Sequence, residues 1–483
     1  MRWAQAAVAT VVGAITGACV NLQAFECTDD AECQSTVAQG WCEPTGYCSY
    51  PDPECDSGRR YSDLAGPHER QCVEPGDSSG LDTATEATTD ASQDGTVGSG
   101  ELVCGNGVVE GDEECDELDD IDGDGCNTDC VAGGSVRWSV NVGGEAGGDD
   151  RLFGLTRLVS GDVVAVGYVQ GRSRDVLAVR FTIDGQEVSR VVHDIAGGGD
   201  EAEAVAQDGN GQLYVCGLSV DGGITNPWMG RWDDQLDGDP ELQLQLPFGL
   251  MGICHDIVHI SDGDFITVGG SGATAWSYRF TAGNIDGGVA SSPPGGGGGG
   301  ESRLRAAFLA PEGQLWAAGQ WAGEGVAYGV PPSGDLGTSI FELPDSQLQT
   351  MAVTGDSLIV GGFHSTIESL ADPWISSHDL SGVVRWSYNP TDRLLDDEVE
   401  DIALDPAGNI YAIGHVSNDD PDRWVIKLDP EGQVIWERDD FEGSDAIDRG
   451  RSIEVLPNGD LIVVAEVTTA AGDLDGWIAR LAP

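Results

Sequence analysis

The chain has 483 residues, among them 71 Gly and 13 Cys, and its 23 basic and 83 acidic side chains give a formal net charge of −60. Such a charge repels phosphate backbones and anionic lipid heads, which excludes nucleic-acid binding through a basic surface. A hydrophobic share of 40% can bury a core and excludes wholesale disorder; the glycines follow no G-X-Y period, which excludes collagen and points to many turns.

Residues 1–18 read as a signal peptide. Met1-Arg2 is a minimal positive start, residues 3–18 are apolar and end in small side chains, and Cys19 follows. The stretch is too short for a comfortable transmembrane helix. Thr16-Gly17-Ala18-Cys19 resembles a bacterial lipobox, with Thr16 where that family prefers Leu. The resemblance implies a diacylated Cys19 and membrane attachment through lipid alone. An ordinary cleaved signal peptide is the alternative. No later segment reaches about 18 uninterrupted apolar residues.

Twelve cysteines remain after Cys19, an even number that suits disulfides in an oxidising compartment. Cys27, Cys33, Cys42, Cys48, Cys55 and Cys72 fall in a Cys-rich module over residues 19–73. Cys104, Cys115, Cys126 and Cys130 fall in a second module over 101–133. Cys216 and Cys254 stand alone and are expected to pair. No CxxC occurs, so zinc is disfavoured. The pairing within each module is not fixed by spacing.

Residues 104–130 carry Cys104-Gly-Asn-Gly, Glu114-Cys115-Asp116 and Asp122-Gly-Asp124-Gly-Cys126. This stretch resembles the short disulfide repeat of predicted myxobacterial surface proteins. The first module, with Gly-Trp-Cys42, Gly-Tyr-Cys48 and Pro-Asp-Pro-Glu-Cys55, resembles the leader modules of such lipoproteins. The resemblance implies display at the cell surface and no catalysis. Asp120, Asp122 and Asp124 with Gly125 match the first half of a DxDxDG calcium loop, but Val131 stands where a bidentate Glu belongs. A weak calcium site and a plain acidic turn both fit. No other cofactor is expected.

Residues 74–100 hold one Leu, one Val and no aromatic residue, and read as a disordered linker. From residue 134 the chain repeats. Gly161-DVVAV-Gly167, Gly211-QLYVC-Gly217, Gly263-DFITV-Gly269, Gly313-QLWAA-Gly319, Gly355-DSLIV-Gly361, Gly408-NIYAI-Gly414 and Gly459-DLIVV-Ala465 recur at intervals of 42 to 53 residues. Each is a turn followed by a buried, β-branched strand. Trp228, Trp276, Trp374, Trp424 and Trp477 recur after these anchors and are expected to pack between repeats. A basic residue usually follows: Arg180, Arg231, Arg279, Lys427 and Arg480. Lys427 is the chain's only lysine.

Repeats of this length with about four strands each predict an all-β fold, a β-propeller over residues 134–483. Seven anchors predict seven blades. The chain ends before the last repeat's closing strand, and Gly134-SVR-Trp138 matches Gly382-VVR-Trp386. An N-terminal strand is therefore expected to complete the final blade and remove two exposed edges. Asp429-PE-Gly432-QVI-Trp436 and Asp379-LS-Gly382-VVR-Trp386 resemble the tryptophan-docking motif of quinoprotein-type propellers, here without a recognisable catalytic set.

The loops entering the innermost strands are acidic in most repeats. Asp200, Glu201, Asp396, Asp397, Glu398, Asp445 and Asp448 are the candidates for a ligand-facing rim; a merely solvated rim is the alternative. His255 and His259 lie on one face of an inner strand, too far apart to share a metal. No GxSxG or HExxH motif occurs. The expected protein is exported, lipid-anchored or secreted, monomeric and non-enzymatic. It sits at the cell envelope or outer-membrane surface and binds an extracellular protein or polysaccharide. A hydrolase or lyase working on an extracellular polymer in the channel is the alternative, and an envelope-assembly scaffold is a third.

Overall fold

A computed structural model describes residues 41–42, 48–51, 59–61, 104, 109 and 113–117, and most of 121–483. Within the last range, residues 145–147, 196, 247–251, 262, 294–299, 366–370, 391–396, 418–420 and 442–446 lie outside the description. The signal peptide, Cys19 and the linker over 74–100 also lie outside the described residues. The chain divides into two compact units, Met1–Leu118 and Asp119–Pro483. No helix occurs among the described residues, so none is long and apolar enough to cross a membrane.

In the first unit, β1 (Trp41–Cys42), β2 (Cys48–Pro51) and β3 (Arg59–Tyr61) form a small antiparallel sheet. Cys42 stands opposite Cys48 in its register. Cys48, Cys104 and Cys115 are disulfide-bonded.

In the second unit, Cys126 and Cys130 are buried and disulfide-bonded. Strands follow in antiparallel groups of four. β4 (Val136–Val142) is set apart from the group that follows it. That group is β5 (Arg151–Arg157), β6 (Val163–Gln170), β7 (Arg174–Phe181) and β8 (Glu187–His193). Next come β9 (Asp200–Gln207), β10 (Leu213–Asp221), β11 (Ile224–Trp232) and β12 (Leu242–Gln245). Then come β13 (Ile253–Ser261), β14 (Asp264–Ser271), β15 (Thr274–Thr281) and β16 (Asn284–Ser291), followed by β17 (Arg303–Leu309), β18 (Leu315–Trp321), β19 (Glu324–Val330) and β20 (Phe341–Leu343). The pair Gly270 opposite Arg303 links these two groups into one eight-stranded sheet. Gly270 permits this because a Cβ there would meet the Arg303 Cα at 2.7 Å.

The remaining groups are β21 (Ser346–Thr354), β22 (Ser357–Ser365), β23 (Ala371–Asp379) and β24 (Val384–Tyr388), then β25 (Glu398–Leu404), β26 (Ile410–Ser417), β27 (Pro421–Leu428) and β28 (Val434–Arg438). The last is β29 (Arg449–Val455), β30 (Leu461–Thr468) and β31 (Leu474–Leu481), with β4 as its fourth strand. Strand β4, from the start of this unit, therefore covers what would be the open edge of its end.

The anchors of the repeat fall on the second strand of each group. These strands are buried on both faces, as in β6 and β26, which explains their continuous apolar runs. Their side chains fill cores shared by adjacent groups. Trp228 of β11, for instance, packs with Val164, Val166 and Val176 of the preceding group. First strands lie beside first strands, β5 by β9, β9 by β13 and onward to β25 by β29, and β29 lies beside β5. At that last junction Glu454 of β29 accepts the Arg157 backbone N–H of β5 at 2.8 Å.

Outer strands interlock through tryptophan. The Trp138 indole of β4 donates to the Ile183 carbonyl at 3.0 Å and covers Gly185. The Trp386 indole of β24 donates to the Pro430 carbonyl at 2.9 Å and covers Gly432. Trp436 of β28 covers Gly133 and Gly134. Gly185 and Gly432 each have φ of 82°, so the turn needs glycine and the ring above leaves no room for a Cβ.

Candidate functional site

Every first strand carries the same irregularity. The ladder slips by one residue at Phe153, Glu203, His255, Arg305, Gln349, Glu400 and Arg451, on β5, β9, β13, β17, β21, β25 and β29 in turn. Each is the extra residue of a β-bulge, which re-aims its side chain out of the ladder. All seven line one cavity of about 210 Å³. Together they form a mixed collar, aromatic at Phe153 and polar or charged elsewhere.

Most of the bulges sit beside the anchor's second glycine, which pairs next to the slip. A Cβ at Gly167 would fall 1.8 Å from the Arg151 carbonyl oxygen, and one at Gly414 would fall 1.9 Å from that of Glu398. Five groups carry the anchor glycine here, and in the β21 group the next residue, Gly362, takes the place, its Cβ falling 2.0 Å from the Gln347 carbonyl oxygen. In the last, Ala465 takes the place and its partner is Gly450 rather than a larger residue.

The collar is internally paired along part of its circumference. Arg451 donates to Glu400 at 2.6 Å and to Glu466 at 2.7 Å, and its guanidinium lies 5.5 Å from the Phe153 ring centroid. Arg305 approaches His255 Nδ1 at 3.5 Å, while His255 Nε2 is buried without a partner. Burial, with Arg305 and Arg303 nearby, holds His255 well below the ordinary imidazole range, so its ring is neutral. Burial also pushes the Glu203 carboxyl up to about 7, against the opposing pull of Arg305.

A second layer ties neighbouring first strands together. Asp256 of β13 accepts the Ala307 N–H of β17 at 2.8 Å. Asp401 of β25 accepts the Ser452 hydroxyl at 2.8 Å and the Ile453 N–H at 3.0 Å, both on β29. Burial pushes Asp256 up to about 7, although two backbone N–H groups favour its charged form.

A larger cavity of about 630 Å³ adjoins the collar and shares Arg305, Gln349, Glu400 and Arg451 with it. It adds Phe363, Ser365, Glu398, His415 and Arg449. Glu398, Glu400 and His415 bring one ligand atom each within 4.8 Å of one another, a set that could hold a divalent ion. Glu398 is hydrogen-bonded by Gln349, and burial together with the adjacent Glu400 pushes its carboxyl well up.

Of the seven rim acids expected from sequence, five are described, and three of these are bound to backbone donors. Asp200 accepts the Ile195 N–H at 2.7 Å, Asp397 the Ser417 N–H at 2.6 Å and Asp448 the Thr468 N–H at 2.8 Å. All three are buried. They satisfy backbone donors at strand ends, which buried carboxylates do well. Asp448 also lies 3.5 Å from Arg423. Glu201 pairs with Arg174, and Glu398 belongs to the cavity above. Asp396 and Asp445 lie outside the described residues.

Of the calcium candidates, Asp122 accepts the Thr128 N–H and hydroxyl, each at 2.8 Å, Asp124 is exposed, and Asp120 lies outside the described residues. Cys216 and Cys254 form a disulfide between β10 and β13, with Cα atoms 5.7 Å apart. Cys27, Cys33, Cys55 and Cys72 lie outside the described residues.

Sequence reasoning passed over most of the collar. Six of its members stand eight residues before an anchor's first glycine, and Gln349 stands six before Gly355. That offset was the available signal.

No protein-family model matches the chain, and no curated protein matches it. Solved structures with a similar fold include Sqt1 from Chaetomium thermophilum, at 13% identity and TM-score 0.43, over 70% of this chain and 97% of that one. The same protein bound to the N-terminus of ribosomal protein L10 gives 14% identity and TM-score 0.42, over 70% and 98%. A protein of unknown function from Dyadobacter fermentans gives 9% identity and TM-score 0.42, over 73% and 100%. At these scores the likeness says nothing of activity or partner.

Proposed function

We propose that the chain is an exported, lipid-anchored binding protein of the cell envelope. Its second unit is a seven-bladed β-propeller, closed by β4, that takes an extracellular ligand in its channel without chemical turnover. The observation that carries the binding role is the collar, because every first strand spends a β-bulge to aim one side chain into one shared cavity. Ring closure is supported by β4 completing the last group and by Glu454 bridging β29 to β5. Export is supported by the disulfides and by the signal-like amino terminus.

A second reading is acid–base catalysis on an extracellular polymer in the same channel. It is favoured by Glu203 and Asp256, two carboxyls held near 7 beside the neutral His255.

A glycan and envelope-polymer array probed with the full chain separates the two. A binding protein retains a hit, loses it in Phe153→Ala and Gln349→Ala, and returns the bound oligosaccharide intact. Shortened or unsaturated products, lost in Glu203→Gln, would establish the catalytic reading instead. Palmitate labelling that vanishes in Cys19→Ser tests the anchor.

A further inference from the structure

The protein carries far more carboxylates than arginines, so a free guanidinium should be rare. Among the described residues of Asp119–Pro483, nearly every arginine has a carboxylate within 4.0 Å; Arg451, for example, is held by both Glu400 and Glu466. Three have none: Arg172, Arg305 and Arg449. Arg172 is exposed at the turn between β6 and β7, where water satisfies it. Arg305 and Arg449 are half-buried, and both line the 630 Å³ cavity beside the collar.

Their surroundings make the lack of a partner costly. Nε of each is buried with no hydrogen-bond partner. Arg305 meets the neutral His255 only at 3.5 Å. The two arginines stand on β17 and β29, on either side of β21 and β25, so they flank Gln349, Glu398 and Glu400. In a chain of this charge, two unpaired, half-buried guanidiniums on one cavity wall are most simply explained by an anion that arrives from outside.

The cavity also limits the kind of anion. Glu398 and Glu400 lie between the arginines, which disfavours a multiply charged group such as phosphate. Gln349 and Ser365 add neutral hydrogen-bonding groups to the same wall. The volume is within the range of small-molecule sites, about 300–1,000 Å³.

Resting on the channel-binding reading, we propose that this cavity binds a small hydroxy-carboxylate, a uronic acid or its oligomer, with Arg305 and Arg449 receiving the carboxylate. A planar guanidinium matches a carboxylate through paired N–H donors, and the remaining walls can meet hydroxyls.

The test is calorimetric titration of the full chain with glucuronate, glucose and inorganic phosphate, in wild type and in R305Q, R449Q and R172Q. Glucuronate should bind, and glucose and phosphate should bind more weakly or not at all. R305Q and R449Q should each weaken glucuronate by roughly tenfold to a hundredfold, as expected for losing a charge-assisted hydrogen bond. R172Q should leave it unchanged. R449K keeps the charge but loses the paired donors, and should fall between R449Q and wild type. Thermal melts of every variant establish that each is folded. The inference is overturned if no probe binds, if phosphate alone binds, or if folded R305Q and R449Q bind glucuronate like wild type. Glucose binding as tightly as glucuronate, and weakened by Phe153→Ala, would overturn the carboxylate and leave the channel reading standing.

Discussion

The ammonium of Lys427 donates a hydrogen bond to the Gly123 carbonyl at 2.5 Å. In other groups the matching basic residue pairs with an aspartate of its own group: Arg180 with Asp162 at 2.7 Å, Arg279 with Asp264 at 2.8 Å and Arg480 with Asp460 at 2.5 Å. Each of those aspartates directly follows an anchor glycine. In the Lys427 group that place is Asn409, whose amide is held by Asp405 at 2.7 Å. The lysine is thereby left to reach the acidic turn of the disulfide repeat, with its ammonium 4.7 Å from the Tyr411 ring centroid. This fastens the turn that carries Asp122 and Asp124 to β27.

Lys427 should therefore be chemically silent in the native protein. It is 2% exposed, and burial pushes its ammonium below the usual lysine range. An amine-reactive ester should leave Lys427 unlabelled until the protein is unfolded, as read by peptide mapping. Lys427→Met should leave the Gly123 carbonyl without its donor and cost about 1–3 kcal/mol. Labelling of Lys427 in the native state at the rate of a free lysine would contradict this placement.

The anchor glycines should be unequal to the one alanine. Gly414→Ala would drive a Cβ against the Glu398 carbonyl oxygen at 1.9 Å, and overpacking of this kind costs about 1–3 kcal/mol or more. Ala465→Gly should cost only about 0.5–1 kcal/mol, the usual penalty for glycine inside a strand. Denaturant unfolding of the two variants gives the comparison. Equal losses would mean that the bulge does not need the glycine.

The same contrast shows what the sequence could and could not reveal. The glycine anchors mark real strands because the bulge and the turn each demand a residue without a side chain. The tryptophans at Trp138, Trp386 and Trp436 were legible because a ring over a turn glycine leaves both residues in the sequence. The collar was not legible. Phe153, Glu203, His255, Arg305, Gln349, Glu400 and Arg451 share no chemistry, and a bulge breaks the period-two pattern that would assign them a face. The acidic loop residues carry a structural role that the sequence did not show. Asp200, Asp397 and Asp448 look like a charged rim in sequence, and in the fold each accepts a backbone N–H at a strand end. The pairing state of Arg305 and Arg449 was invisible because it depends on which carboxylates the fold brings near.

Stability should fall as pH rises from mildly acidic to mildly basic. Glu203 and Asp256 are raised to about 7, and Glu398 is raised as well. The folded protein thus holds protons that the unfolded chain has released. Their contribution is full below the ordinary carboxyl range and is lost as pH climbs through the raised values. His255 is lowered and works the other way, losing its contribution as pH falls below the ordinary imidazole value. Three carboxyls outweigh one imidazole, so melting should be higher near about pH 5.5 than near about pH 8. Glu203→Gln should flatten this slope, which separates the local effect from general repulsion among the acids. An unchanged slope in that variant would place the proton elsewhere.

The Cys216–Cys254 disulfide should be a strong staple of the second unit. It joins β10 to β13 across adjacent groups and closes a separation of 38 residues. Both sulfurs lie in one apolar cluster with Tyr214, Met229 and Trp276. Chain entropy alone assigns a loop of this length about 3–4 kcal/mol. Because the bond spans two groups, its loss should loosen the contact between them before the rest. The double variant Cys216→Ala, Cys254→Ala should unfold at lower denaturant by an amount within that range. Hydrogen exchange should rise first in β9 to β14, the strands on either side of the bond. Alkylation of the unreduced wild-type protein should leave both cysteines unmodified. Two labels at these positions would show that the thiols are free, and uniform exchange in the double variant would show that the bond does not govern this junction.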